Sequence, residues 1–283
     1  MNKTVLGFVT FGGIEFTKLL VESVKNTTSS VDMFAVVGNS DDKETISYLL
    51  EMKIPFIVHY SNHGFPVSVN DIFDYAWKEH NYEYVILAGN DVIAYPYCID
   101  SMIDCAETTD IEVIGALEYS VKDLVNEFPE SRGAFIGRDY VIREFVIPVW
   151  NLFTEYWEDY DTIKMELRDI QNMCLYKKSV FEKVGYLDVN FYPAYFVDND
   201  YAMRMKLLKI KMKSLLNARY FHFWSRTIKQ GSGGSTPTFF EKNKYYYKQK
   251  WGGEPGFEKK RPESLNITSR EKEAEIVNYW KAA

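Results

Sequence analysis

A few side chains stand where chemistry can be built. Asp91 closes the run Leu87-Ala-Gly-Asn-Asp, just after the apolar stretch Tyr84–Ala88 that reads as the chain's strongest strand. A carboxylate at the carboxyl end of a buried strand sits at the ligand edge of a sheet. There a hard cation such as Mg²⁺ or Mn²⁺ takes one or two carboxylates plus the phosphate oxygens of a substrate. By itself, Asp91 is equally a turn or capping residue. A second acidic group lies in Tyr195-Phe-Val-Asp-Asn-Asp-Tyr, where Asp198 and Asp200 precede a helix expected over Asp200–Lys209 that carries Arg204. Acids here either cap that helix and complement its dipole, or supply a general base that takes a proton from an attacking hydroxyl. If the turn is extended, residues two apart share a face. Asp198 then lies farther from the helix body and nearer a reacting hydroxyl than Asp200. His222, in Tyr220-Phe-His-Phe-Trp-Ser, follows an expected strand. Its imidazole suits a Mn²⁺-type site, although a lone histidine among aromatics is more often a satisfied core residue.

The elements that must position these groups alternate. Apolar runs at Val5–Thr10, Met33–Val37, Phe56–His59 and Tyr84–Ala88 read as strands, and Phe16–Lys25, Glu44–Met52 and Val69–His80 as helices. This order implies an α/β fold of Rossmann-like character, with a mostly parallel sheet and helices on both faces. Right-handed crossovers bring the polar strand ends to one edge, where ligands of open α/β sheets bind. From about Glu118 to Arg168 the chain is irregular and rich in Tyr, Trp, Glu and Asp, as acceptor-shaping inserts are. Helical pattern resumes at Lys178–Val184. The stretch Gly231–Ser235 has the composition of a mobile loop or linker and is expected to close over a bound ligand. These features divide the chain into a domain over 1–228, with a nucleotide-binding half at 1–117 and an acceptor half at 118–228. A basic, aromatic extension over 229–283 then packs on it.

Composition narrows the class. The chain has 283 residues, 46% of them hydrophobic and 26% charged, enough for a packed globular core. A formal net charge of −7 argues against a protein whose main task is gripping nucleic acid. Basic residues nevertheless cluster at Lys206, Lys209, Lys211 and Lys213, and again from Lys242 to Arg261. Aromatics make up 16%, and such rings pack cores or line sugar- and base-binding clefts. Cys98, Cys105 and Cys174 show no metal-site spacing and leave an odd thiol, which suits a reducing, cytoplasmic setting. The amino terminus reads as a first strand, and no apolar run is long enough to form an integral membrane segment.

Taken in order, these signals resemble the GT-A glycosyltransferases, and more narrowly the inverting family 2 group with its rhamnosyltransferase-like members. Phe8-Val-Thr-Phe resembles the family's first strand ending in Thr, and Val36-Val-Gly-Asn-Ser-Asp-Asp its nucleotide loop. Asn62-His-Gly-Phe with Asn70 is similar to its Asn-x-Gly-Phe…Asn stretch, and Ile86-Leu-Ala-Gly-Asn-Asp-Val falls where it carries Asp-x-Asp or Asn-x-Asp. The longest match runs from Met173 to Asp188 and on through Val197-Asp-Asn-Asp to Arg204, with His222 and Ser225 on the late His-x-x-x-Ser region. Gly89 departs from the first position of Asp-x-Asp, Val197 replaces the Glu of Glu-Asp, and Gly38-Asn39 replaces Asp-Asn.

The resemblance implies a nucleotide-sugar donor at the sheet edge, with Thr10, Asn39, Asp41, Asn70 and Asn90 as its contacts and a UDP- or dTDP-sugar favoured over a GDP-sugar. It implies Mn²⁺ or Mg²⁺ on Asp91 and His222, and Asp198 as the base of an inverting displacement, with Asp200 beside it. One base and one displacement need no second carboxylate of the glycosidase kind. The implied acceptor is a glycan or glycolipid. The alternatives are a hydroxymethylated base in DNA, whose phosphates the basic tail would track, and a non-catalytic nucleotide-sugar binder. A nucleotidyltransferase would carry a basic phosphate loop after the first strand, and Phe11-Gly-Gly-Ile-Glu-Phe has none.

Overall fold

The structure, a computed structural model, describes residues 2–119, 165–166, 173–223 and 238–275. The expected mobile stretch Gly231–Ser235 and most of the irregular middle lie outside the described residues. Strands β1 (Thr4–Thr10), β2 (Val31–Val37), β3 (Phe56–Val58) and β4 (Tyr84–Gly89) alternate with helices α1 (Ile14–Thr27), α2 (Lys43–Glu51) and α3 (Phe65–Phe73). β5 (Val92–Ala94), α4 (Cys98–Thr108), β6 (Val113–Tyr119), β7 (Met165–Glu166) and β8 (Met173–Lys177) follow. Then come α5 (Lys178–Val184), α6 (Val197–Leu207), β9 (Met212–His222) and α7 (Thr238–Trp251).

The strands form one sheet in the order β3-β2-β1-β4-β8-β6-β9-β5, with β7 paired to β9. β3, β2, β1 and β4 run parallel, as the alternating sequence requires. β8 then inserts antiparallel between β4 and β6. The α/β architecture with a covered sheet is therefore the one the alternation implied.

Side-chain alternation along each strand feeds two apolar layers. Leu6 and Phe8 of β1, with Ile86 and Leu175, pack against α1, α2 and α4 through Leu20, Val21, Leu49, Ile99 and Met102. Val5, Val85 and Cys174 face the other way, onto Ile72 and Phe73 of α3, Val184 of α5, Met205 of α6, and Tyr247 and Trp251 of α7. Gly7 lets α3 lie flat on β1, since a Cβ there would fall 2.2 Å from Ile72. All three cysteines are buried and outside any disulfide. No helix among the described residues is long and apolar enough to cross a membrane.

Two helices begin earlier than their composition suggested. α3 starts at Phe65, with Pro66 in its first turn, because Gly64 at φ 82° turns the chain sharply into it; its last turn continues as a wider coil to Glu79. α6 starts at Val197 after Tyr195 and Phe196 at φ 71° and 64°. Asp198 and Asp200 are thus inside its first turn rather than in an extended approach.

Candidate active site

The carboxyl ends of β1 and β4 are tied by one side chain. Buried Asn90 donates to Thr10 Oγ1 at 3.3 Å, to the Gly12 carbonyl at 3.1 Å and to Thr17 Oγ1 at 3.1 Å. Thr10 is itself fully buried. Asn90 and Thr10 thereby fix the Phe11–Gly13 turn and the tight β4–β5 turn that carries Asp91. Beside them the β2 loop closes on itself. Asn39 Oδ1 accepts from Asp41 N at 3.0 Å, leaving Asp41 exposed, and Asp42 caps α2. Asn70, expected at the donor, is buried elsewhere. Its amide mimics a strand neighbour, accepting from Leu187 N at 2.9 Å and donating to Leu187 O at 3.3 Å and to Glu273 at 2.9 Å.

Strand pairing delivers a cluster to the same edge. Val92 lies opposite His222 across β5 and β9, so Asp91 comes beside the histidine. Glu118 lies opposite Tyr220 across β6 and β9. His222 Nε2 stands 3.3 Å from Asp91 Oδ1, and its Nδ1 stands 3.3 Å from Glu118 Oε2, which also accepts from Tyr220 Oη at 2.9 Å. Burial pulls the imidazole's pKa down, but the hydrogen bonds and charges of Asp91 and Glu118 outweigh it and push it up to about 9. The two carboxylates thus favour the protonated ring, and an ion on Nε2 would have to displace that proton.

Among the described residues no group of three or more His, Cys, Asp or Glu converges on one point to hold a metal. The two carboxylates flank opposite nitrogens of one ring, so a single ion cannot touch all three residues. A two-donor set does fit. Ligands at ~2.1 Å and a right angle lie about 3 Å apart, close to the 3.3 Å between Asp91 Oδ1 and His222 Nε2. Glu118 would then fix the tautomer from behind, as outer carboxylates do for metal-bound histidines.

The two acids of α6 separate. Successive residues turn about 100° along a helix, so positions two apart face nearly opposite ways. Asp198 is exposed. Asp200 is fully buried, with Oδ2 2.9 Å from Arg204 Nε and Oδ1 2.9 Å from the Trp251 indole nitrogen and 2.6 Å from Lys250 Nζ. Lys250 also reaches Asp188 at 2.7 Å, and Arg204 donates to the carbonyls of Val184 and Tyr186. α7 is thus bolted to the base of α6. Its Asn243 amide donates to the carbonyls of Phe191, Tyr192 and Ala194, shaping the loop that enters α6. That loop reaches the ligand edge, because Pro193 O accepts from Phe65 N at 2.7 Å, at the start of the helix after β3.

Sequence reasoning missed Glu118, Asn243 and Trp251. Glu118 stood at the boundary where the chain turned irregular, and the apolar run Val113–Leu117 before it was the signal that a strand ends there. The run Asn243-Lys-Tyr-Tyr-Tyr-Lys-Gln-Lys-Trp-Gly-Gly is similar to the C-termini of the resembled family, but that likeness gave Asn243 and Trp251 no role.

No family model matches the chain. A mannosyltransferase from Pyrobaculum calidifontis, solved with GDP-Man and Mn²⁺, superposes with a TM-score of 0.54 over 79% of this chain and 57% of its own, at 7% identity. It shares this fold. Staphylococcus aureus TarS, residues 1–349, does so with a TM-score of 0.54 over 78% of this chain and 60% of its own, at 11% identity. A galactofuranosyl glycosyltransferase of Leishmania donovani is 23% identical over 208 residues, which is 68% of this chain and 48% of that protein. The chain therefore spans about half the length of the curated relative it matches.

Proposed function

We propose that the protein is a glycosyltransferase that moves a sugar from a nucleotide-sugar donor to a hydroxyl of a glycan or glycolipid, with inversion. The observation that carries this reading is the pairing of Asp91 with His222 just after β4, to which the exposed Asp198 in the first turn of α6 adds a candidate base. The resemblance of the ordered motifs and the likeness to a mannosyltransferase support it.

In this reading the donor diphosphate lies at the ends of β1 and β4, beside the turn that Asn90 and Thr10 hold. Asn39 and Asp41 contact the nucleoside. Asp91 and His222 Nε2 would hold Mn²⁺ or Mg²⁺, which supplies Lewis-acid relief of the charge on the departing diphosphate. Asp198 accepts the proton of the attacking hydroxyl. Asp200 and Asn70 hold the frame and touch neither substrate. The mannosyltransferase of this fold carries a guanine nucleotide, so a purine donor belongs in the test beside the UDP- and dTDP-sugars favoured by the resemblance.

The deciding experiment is a donor-hydrolysis screen of UDP-, dTDP- and GDP-sugars with Mn²⁺ or Mg²⁺. At least one donor should release nucleoside diphosphate, and Asp91→Ala should abolish that release while the fold persists. Hydrolysis of no donor by a folded protein that still binds nucleoside diphosphate would favour a non-catalytic binder.

A further inference from the structure

We propose that Tyr195, Phe196, Phe239 and Phe240 form a platform on which the acceptor lies, and that the group presented to Asp198 is a sugar ring. The proposal rests on the transferase reading above and names the residues that would hold the acceptor's sugar ring.

The loop that enters α6 is built at a cost. Tyr195 and Phe196 adopt φ of 71° and 64° in succession. Left-handed backbone is unfavourable for any residue with a Cβ, and bulky side chains are rare there. Such strain persists only where the surroundings over-determine it, and it gathers at ligand sites. The surroundings do so here. Asn243 gathers three carbonyls of residues 191–194, and Pro193 O accepts from Phe65 N. Gly64 lies so near that a Cβ would meet Tyr192 at 2.7 Å. Turning the chain twice in the left-handed sense places two aromatic rings three and two residues before the exposed Asp198.

Those rings meet the first turn of α7. Tyr195 stacks with Phe239 at 5.9 Å between centroids and 26° between planes, and meets Phe240 edge-on at 5.2 Å and 78°. Phe196 meets Phe240 at 5.1 Å and, on its inner side, the buried Tyr247 at 5.9 Å. All four leading rings are only half-buried. The wall is anchored inward and half-exposed, and two of its rings precede Asp198 closely in the chain.

This is the chemistry that recognises a carbohydrate. Aromatic faces carry negative charge and attract positively polarised edges. One face of a pyranose or furanose presents a patch of C–H bonds of that polarity, while its hydroxyls project from the rim toward a group such as Asp198. An open-chain polyol offers the same hydroxyls without the rigid face.

The test is saturation-transfer NMR on the full chain without donor. The probes are methyl glycosides of glucose, galactose and mannose and the matching alditols. Ring glycosides should receive saturation on one C–H face, and the alditols little. Phe240→Leu and Phe239→Leu, which keep apolar volume but remove the π face, should weaken glycoside binding by up to about tenfold while leaving nucleoside diphosphate affinity unchanged. Equal binding of glycosides and alditols by the wild type, or wild-type glycoside binding by folded Phe240→Leu, overturns the platform. Donor hydrolysis, measured separately, keeps the two ideas apart. Ring-specific binding without donor turnover retains the platform and sinks the transferase, whereas turnover without ring-specific binding does the reverse.

Discussion

Asp198 and Asp200 leave the same turn of α6 in opposite directions, one exposed and the other fully buried against Arg204, Lys250 and Trp251. Asp198→Asn keeps the shape and removes the basicity, so turnover should fall by several orders of magnitude with donor affinity and melting temperature unchanged. Asp200→Asn strands the buried Arg204 guanidinium and should cost about 3 kcal/mol or more of stability. Turnover assays and urea melts on both variants check this. Near-normal turnover in Asp198→Asn would remove it as the base.

The Trp251 indole is a second handle on the same joint. Trp251→Phe retains most of the apolar contact yet deletes the 2.9 Å hydrogen bond to Asp200. A hydrogen bond to a charged group contributes about 1.5–3 kcal/mol, and the urea midpoint should drop accordingly. An unchanged midpoint would mean that Lys250 and Arg204 satisfy Asp200 without it.

Acid should loosen this corner of the molecule. Burial raises the Asp188 carboxyl, but Lys250 and the Asn190 hydrogen bonds outweigh that and hold it below its ordinary value. Asp74 is likewise raised by burial and brought lower overall by Tyr186, Arg270 and Lys78. A depressed folded pKa gives stability that is full above the unfolded value of ~3.9 and is lost as pH falls through the folded one. Denaturant melts from pH 7 downward should show stability declining once pH passes below about 4. The gap between wild type and Lys250→Met should narrow over that range, because protonated Asp188 no longer needs its cation. A gap that stays constant would place the acid sensitivity elsewhere.

Glu118 stands 3.3 Å from His222 Nδ1, on the opposite side of the ring from Asp91. Glu118→Gln should therefore leave the fold and Asp91 in place and weaken Mn²⁺ binding in the presence of nucleoside diphosphate by about 10–100-fold. His222→Gln should weaken it further. Calorimetric titration of Mn²⁺ into both variants measures this, and a wild-type affinity in Glu118→Gln would show that Glu118 does not orient the ring.

The parallel half of the fold was legible because each apolar run is short, bounded by polar turns and separated by helix-period sequence, a pattern that leaves little choice of class. The place of Asp91 just past β4 was legible for the same reason, as the first acid after the strongest strand. The fates of Asp198 and Asp200 were not. They depend on whether the chain is coiled or extended at Val197, and the left-handed residues that settle it are Tyr195 and Phe196, neither of which advertises that conformation. Asn70 looked like a ligand by its motif. Its true partner, Leu187, lies 117 residues away, and no local pattern reports such a contact. Glu118 became visible only when β6 paired with β9 and brought it to His222.

The insertion of β8 between β4 and β6 also sets an order of assembly. On the ribosome, β1 to β4 can register with one another as soon as residue 89 has emerged, because their pairings are all internal to that segment. The exposed flank of β4 must then wait for Met173–Lys177, and α6 waits longer still for the Lys250 and Trp251 that neutralise and cover Asp200. The parallel β1–β4 half is thus a vectorial product of early synthesis. The α6 side matures last, and a nascent chain stalled before α7 presents Asp200 without its Lys250 and Trp251 partners to the cell's quality control.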